Sequence, residues 1–150
     1  MANRRELKFA TLDEVMPDVE RLMSGHTTVG QWSLGQICNH LAMALRIPVH
    51  GYDGPLPPWF IRKVLAPFAL KRLMGSGTMK TGIKVPEVFL PKPGLEARDE
   101  AESLRAALAA FAAHHGKFRD HPFFGPMTAE QWTRLHCIHC AHHLSFALPS

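Results

Sequence analysis

Thr128-Ala-Glu-Gln131-Trp132-Thr-Arg-Leu135-His136-Cys-Ile-His139-Cys-Ala-His142-His143-Leu-Ser-Phe146 places four of the chain's ten histidines in one helix-length segment. The segment opens with a hydroxyl residue followed three positions later by a glutamine. That is a capping box, in which two side chains satisfy free backbone donors at a helix start. At about 100° per residue, Trp132, Leu135 and Phe146 share one side of the helix. His136, His139 and His143 fall on that same apolar side, and His142 borders it. Burying several imidazoles is unfavourable unless each finds a partner. A divalent metal is an efficient one, because neutral imidazole ligates zinc, nickel and iron.

His139 and His143 stand four residues apart, so their Cβ atoms lie roughly 5–6 Å from each other on one face. One helix supplies these two ligands, and a third must come from a facing helix. Ser33-Leu-Gly-Gln36 is a second capping box, followed by the apolar stripe Ile37, Leu41, Ala44 and Leu45, and His40 interrupts that stripe. Three histidines leave coordination positions open, the mark of a catalytic rather than a structural site. Taken singly, each of them also fits a hydrogen-bonded core histidine. His136, one turn before His139, is the candidate for proton transfer or for orienting a ligand. His26, His50, His114, His115 and His121 fall in or near loops and helix ends and read as surface or capping residues.

Outward from these two helices the pattern stays helical. Thr11-Leu-Asp-Glu14 is a third capping box, and Leu12, Val15, Val19, Leu22 and Met23 recur behind it at helical spacing. Pro17, lacking a backbone donor, should bend or delay that helix. Ala101, Leu104, Leu108, Phe111 and Ala112 stripe another helix, with Gly116 as its stop. Helices are expected near 11–25, 33–49, 96–115 and 128–147. Residues 51 to 96 form a long crossover rich in proline and glycine, with room for a helix from Trp59 to Leu73 broken near Pro67 and an extended stretch from Gly82 to Leu90. This describes one all-α domain over residues 1–150, a four-helix bundle with a crossover between its second and third helices.

The chain has 150 residues, 46% hydrophobic and 20% charged, which fits an ordinary globular domain and excludes a disordered chain. The longest apolar run, Ala106 to Ala113, falls well short of the roughly 20 residues of a spanning helix. No apolar core follows the N-terminal basic residues as a signal peptide requires. Three cysteines do not build a disulfide framework, so a cytoplasmic protein is expected. Net charge is +4, and the excess is local. Arg62, Lys63, Lys71, Arg72, Lys80 and Lys84 lie between Gly54 and Pro86 with no acidic residue among them. No nucleic-acid-reading motif accompanies them. A solvated loop or attraction of an acidic substrate, lipid surface or partner remains. If the crossover roofs the site, Trp59, Lys80 and Lys84 are candidate substrate contacts.

Trp32-Ser33, Gln36 and Asn39-His40-Leu41 resemble the helix-two motif of the DinB/YfiT-like superfamily, and His139-Cys-Ala-His142-His143 resembles its helix-four motif. His121-Pro-Phe-Phe-Gly125, Thr128 and Gln131-Trp132 are similar to one DinB-related family of unknown function in particular. The resemblance implies a four-helix bundle with a divalent metal on His40, His139 and His143. It also implies chemistry of the superfamily's kind, namely metal-dependent hydrolysis or transfer and isomerisation with low-molecular-weight thiols. Many members carry Arg-Gly-Gln where this chain has Leu144-Ser145-Phe146, a departure from the best-known thiol transferases. Cys137-Ile-His-Cys140 lies in the helix middle, away from the N-terminal dipole that activates redox cysteines, and haem attachment would need a histidine at Ala141. Cys140 is a possible alternative ligand. A di-metal carboxylate site lacks its glutamates. The expected function is that of a divalent-metal-dependent hydrolase or thiol transferase acting on a small molecule. The alternative is a non-enzymatic metal-binding or self-associating helical bundle, and a homodimer fits either.

Overall fold

The computed structural model describes residues 3–150. A 3-10 turn, Leu12–Glu14, leads into α1 (Val15–Met23), followed by a short strand β1 (His26–Thr28) and α2 (Leu34–His50). In the crossover a π-helical turn, Ile61–Leu65, runs into α3 (Ala66–Ser76), and a 3-10 turn spans Glu87–Phe89. The chain closes with α4 (Ala97–Ala113), α5 (Ala129–Leu144) and β2 (Ala147–Pro149). The architecture is all-α with one two-stranded antiparallel pairing, in which His26 faces Pro149 and Thr28 faces Ala147. Among the described residues no helix is long and apolar enough to cross a membrane.

The capping boxes set the helix starts. Gln36 N donates to Ser33 Oγ at 3.2 Å and Ser33 N to Gln36 Oε1 at 2.9 Å. Thr128 and Gln131 repeat the exchange at 3.1 and 2.9 Å. The Glu14 carboxylate accepts from Thr11 N at 2.8 Å, and the 3-10 turn there delays α1 to Val15. Pro17 is then the third residue of α1, where its missing donor would have had no intrahelical acceptor.

Val15, Val19 and Leu22 of α1, Ile37, Leu41 and Leu45 of α2, Leu104, Ala107 and Phe111 of α4, and Trp132, Leu135 and Leu144 of α5 form one buried cluster. Each fully buried leucine contributes about 1.5–3 kcal/mol. Helix α2 packs along α4, with its first turn against the chain that enters α4. A Cβ at Gly35 would collide with the Leu95 carbonyl oxygen, so only glycine permits that approach.

Three boundaries differ from the sequence expectation. Helix α5 stops at Leu144, not near 147, because the last residues pair with β1, where two threonines favour extended backbone. Val29 N donates to Phe146 O at 2.9 Å and carries that pairing to the helix end. Helix α4 stops at Ala113, before Gly116. His114 is extended and its ring stacks on Phe118, which stacks on Phe111, so aromatic packing turns the chain early. In the crossover, Pro67 does not break the helix. It sits in the first turn of α3, and the wider π-helical turn before it absorbs the clash and lost hydrogen bond that proline brings.

Candidate metal centre

Helix α5 sets His139 and His143 one turn apart, and α2 brings His40 against them. His139 Nε2 lies 3.1 Å from His40 Nε2 and 3.1 Å from His143 Nε2. The ligand atoms of all three residues lie within 4.8 Å of one another. The rings are mutually edge-on, with centroids 4.6–4.9 Å apart. His40 is buried, whereas His139 and His143 are half-buried, so the cluster keeps a side toward the surface.

The tautomer of His40 follows from its other nitrogen. Nδ1 lies 2.8 Å from the carbonyl oxygen of Phe89, so Nδ1–H donates there. In a neutral ring this leaves a bare lone pair on Nε2, aimed at His139. The crossover therefore reaches the site through a backbone atom. Phe89 is held in turn by Tyr52, whose ring stacks on it at 5.3 Å. Trp32 walls the other side, stacked on His143 at 5.3 Å and tilted against His40 at 5.0 Å.

Burial holds all three rings neutral. It pushes the His40 pKa down against the opposing Phe89 hydrogen bond. Burial, with help from His40 and His142, takes His143 down to about 2. His139 is lowered well below the ordinary histidine value by burial and then by its histidine neighbours. A neutral His139 has either one proton or one lone pair at Nε2, so it satisfies one of its two 3.1 Å neighbours with a good N–H···N bond. A cation at the common focus satisfies all three lone pairs together. Two sides of the triangle, at 3.1 Å, are close to the roughly 3.3 Å between two nitrogens held tetrahedrally by one zinc, and the donor set suits zinc, nickel or iron.

The remaining candidates lie elsewhere. His142 turns away from the focus. Arg4 Nη1 donates to its Nδ1 at 3.1 Å, and it lines a cleft of about 680 Å³ with Arg4, Lys8 and Met79. His136 is buried with its ring stacked on Trp132 and edge-on to Phe111, and its Nε2 has no partner. Burial takes its pKa to about 3. His121, expected at the surface, is half-buried in this same aromatic group. Its Nδ1 accepts from the backbone N–H of Phe123 and Phe124 at 3.0 Å, and its ring meets Trp132 at 5.4 Å. Trp59, Lys80 and Lys84 are exposed, and none takes part in the hydrogen bonds or ring contacts of the histidine cluster. Cys38, Cys137 and Cys140 are buried free thiols whose pKa burial raises, Cys38 to about 12, which makes them inert. Two contributors have no role in the sequence reading of the site, although Trp32 appears there as part of the helix-two motif. Phe89 acts through its carbonyl and leaves no side-chain signal. Trp32 stands eight residues before His40, at the position preceding the helix cap.

Fold and site together define a helical protein with three convergent histidines. The family model described as "Protein of unknown function (DUF1569)" matches residues 1–150, and the chain belongs to that family. No curated protein and no solved structure matches the chain.

Proposed function

We propose that this chain is a metal-dependent enzyme of DinB-like type, built as a four-helix bundle of α1, α2, α4 and α5 with one divalent ion held by His40, His139 and His143. The observation that carries the reading is the convergence of three neutral Nε2 atoms, one of them fixed in its ligating tautomer by the Phe89 carbonyl. An ion held there supplies a Lewis acid with open positions for a small molecule, in hydrolysis or in thiol transfer. The chain's own part is to keep these nitrogens unprotonated, to lock His40 through Phe89, and to limit water on one side with the Trp32 ring. The half-buried His139 and His143 leave the approach by which an acidic small molecule or a low-molecular-weight thiol reaches the ion. The reading places the protein in the cytoplasm.

The test is metal content after loading with zinc, nickel or ferrous iron in turn and exhaustive dialysis. One equivalent of one of these ions should remain. His40→Ala and His139→Ala should remove it, and His142→Ala should not. A wild-type protein that retains none of the three ions overturns the reading. A loaded protein then serves for screening against ester, amide and thiol-adduct substrates.

A further inference from the structure

The large exposed apolar side chains of the described residues all belong to the crossover. Leu56, Trp59, Phe60, Val64, Leu65, Phe68, Ile83, Val88 and Leu90 are each about half exposed or more, and Trp59 and Phe68 reach 71% and 72%. Trp59 and Phe60 immediately precede the π-helical turn, Val64 and Leu65 lie in it, and Phe68 lies in the first turn of α3. The C-terminal end of α3 is anchored instead: Leu73 and Met74 pack on the core, and Arg134 Nε donates to Met74 O at 3.0 Å. The N-terminal half buries Ala66 but turns its large apolar side chains outward, an exposure that marks a docking surface rather than ordinary scatter.

The charge of the same segment identifies what it docks on. Arg62, Lys63, Lys71, Arg72, Lys80 and Lys84 flank these apolar residues, and no acidic residue lies between Gly54 and Pro86. Among the described residues, none of the six takes part in a salt bridge. A second copy of this chain, docking the same patch on itself as a two-fold interface does, would bring six cations against six. An anionic bilayer surface has the opposite property. Its headgroups meet the lysines and arginines, and its acyl boundary takes up Trp59, Phe60 and Phe68. A helix of basic and large apolar residues lies in the interface plane in this way.

We infer that the π-helical turn and α3 form a peripheral docking surface for anionic lipid, independent of the metal reading. The test is co-sedimentation of the full chain with phosphatidylcholine vesicles and with vesicles containing phosphatidylglycerol, at low and at physiological salt. Binding should require the anionic lipid and should weaken as salt rises. Trp59 emission should shift to the blue, a shift that Trp59→Phe removes. Lys63→Glu with Arg72→Glu should lower partitioning by more than about tenfold. Trp59→Ala with Phe68→Ala should lower it as well. Both double variants change exposed side chains, and circular dichroism checks that they remain folded. Equal binding to both vesicles, no binding to either, or undiminished binding by both double variants overturns the inference. So does a dimer in solution that Trp59→Ala with Phe68→Ala converts to monomer, which would assign the face to a second copy.

Discussion

Helix α5 contributes histidines to two groups within two turns, and they are arranged on opposite principles. His139 and His143 meet His40 nitrogen to nitrogen, at 3.1 Å along two contacts. His136 and His121 meet aromatic faces, Trp132 and Phe111 chief among them, and His136 Nε2 ends with no partner. In both groups burial lowers the pKa. A depressed pKa therefore does not distinguish a ligand from a packed ring. What distinguishes them is where the lone pair points, and for His40 that is settled by the Phe89 carbonyl on the far side of the ring.

The largest expected effect separates the two groups directly. His139→Ala should weaken metal binding by more than about 100-fold, because two nitrogens from different helices remain where three converged. His136→Phe should leave the stoichiometry at one. Isothermal titration with zinc measures both. Equal losses would make the two groups one site.

Next in size is the response to chelation. An ion bound only by the folded state adds about 2.7 kcal/mol when its free concentration is 100 times Kd. For a domain of this length that corresponds to a shift in Tm of roughly 5–10 °C. A chelator should lower the Tm of loaded wild type and of loaded His136→Phe by that amount, and leave His139→Ala unchanged. Calorimetry with and without chelator reads the difference.

The legibility of the two groups differed for physical reasons. His40, His139 and His143 were visible because helical periodicity converts spacing into a shared face and because His40 interrupts an apolar stripe. The helix starts at Ser33 and Thr128 were visible because a cap is a local exchange of hydrogen bonds. Helix ends depended on distant partners, Phe118 for α4 and β1 for α5, and no local pattern records those. Phe89 escaped because every residue has a carbonyl, and only the fold decides which one meets a histidine. The exposure of Trp59 and Phe68 ran against the usual expectation that large apolar residues are buried.

A pH titration sharpens the comparison from the aromatic side. The ordinary histidine value is 6.5, and in the folded state His136 titrates near 3 and His121 near 4. Between those values the unfolded chain binds more protons than the folded one, so their contribution is present above pH 6.5 and is lost as pH falls toward 4 and then 3. Each contributes a slope approaching about 1.4 kcal/mol per pH unit in that window. His136→Phe should remove one such slope from the metal-free protein. It should also raise stability at pH 7 by about 1 kcal/mol, since no buried nitrogen is left unpaired. Urea unfolding at pH 7, 6 and 5 tests both, and an unchanged acid slope would mean that His136 finds a proton acceptor on folding.

The smallest effect falls on the wall between the site and solvent. The Trp32 ring lies 5.3 Å from His143 and 5.0 Å from His40, centroid to centroid, and stacks nearly parallel on the former. It restricts the rotation that would carry the His143 nitrogen off the focus, without itself offering a ligand atom. Trp32→Ala should therefore weaken zinc by about tenfold, the lower end of what is lost when a group orienting a ligand is removed, while the stoichiometry stays at one. The same proximity gives a direct readout. Nickel at the focus should quench Trp32 emission, and the quench should vanish in Trp32→Phe but persist in Trp59→Phe, whose indole is on the exposed crossover. Quenching carried mainly by Trp132 would instead place the ion beside His136, among the aromatic rings, and would reverse the roles of the two histidine groups.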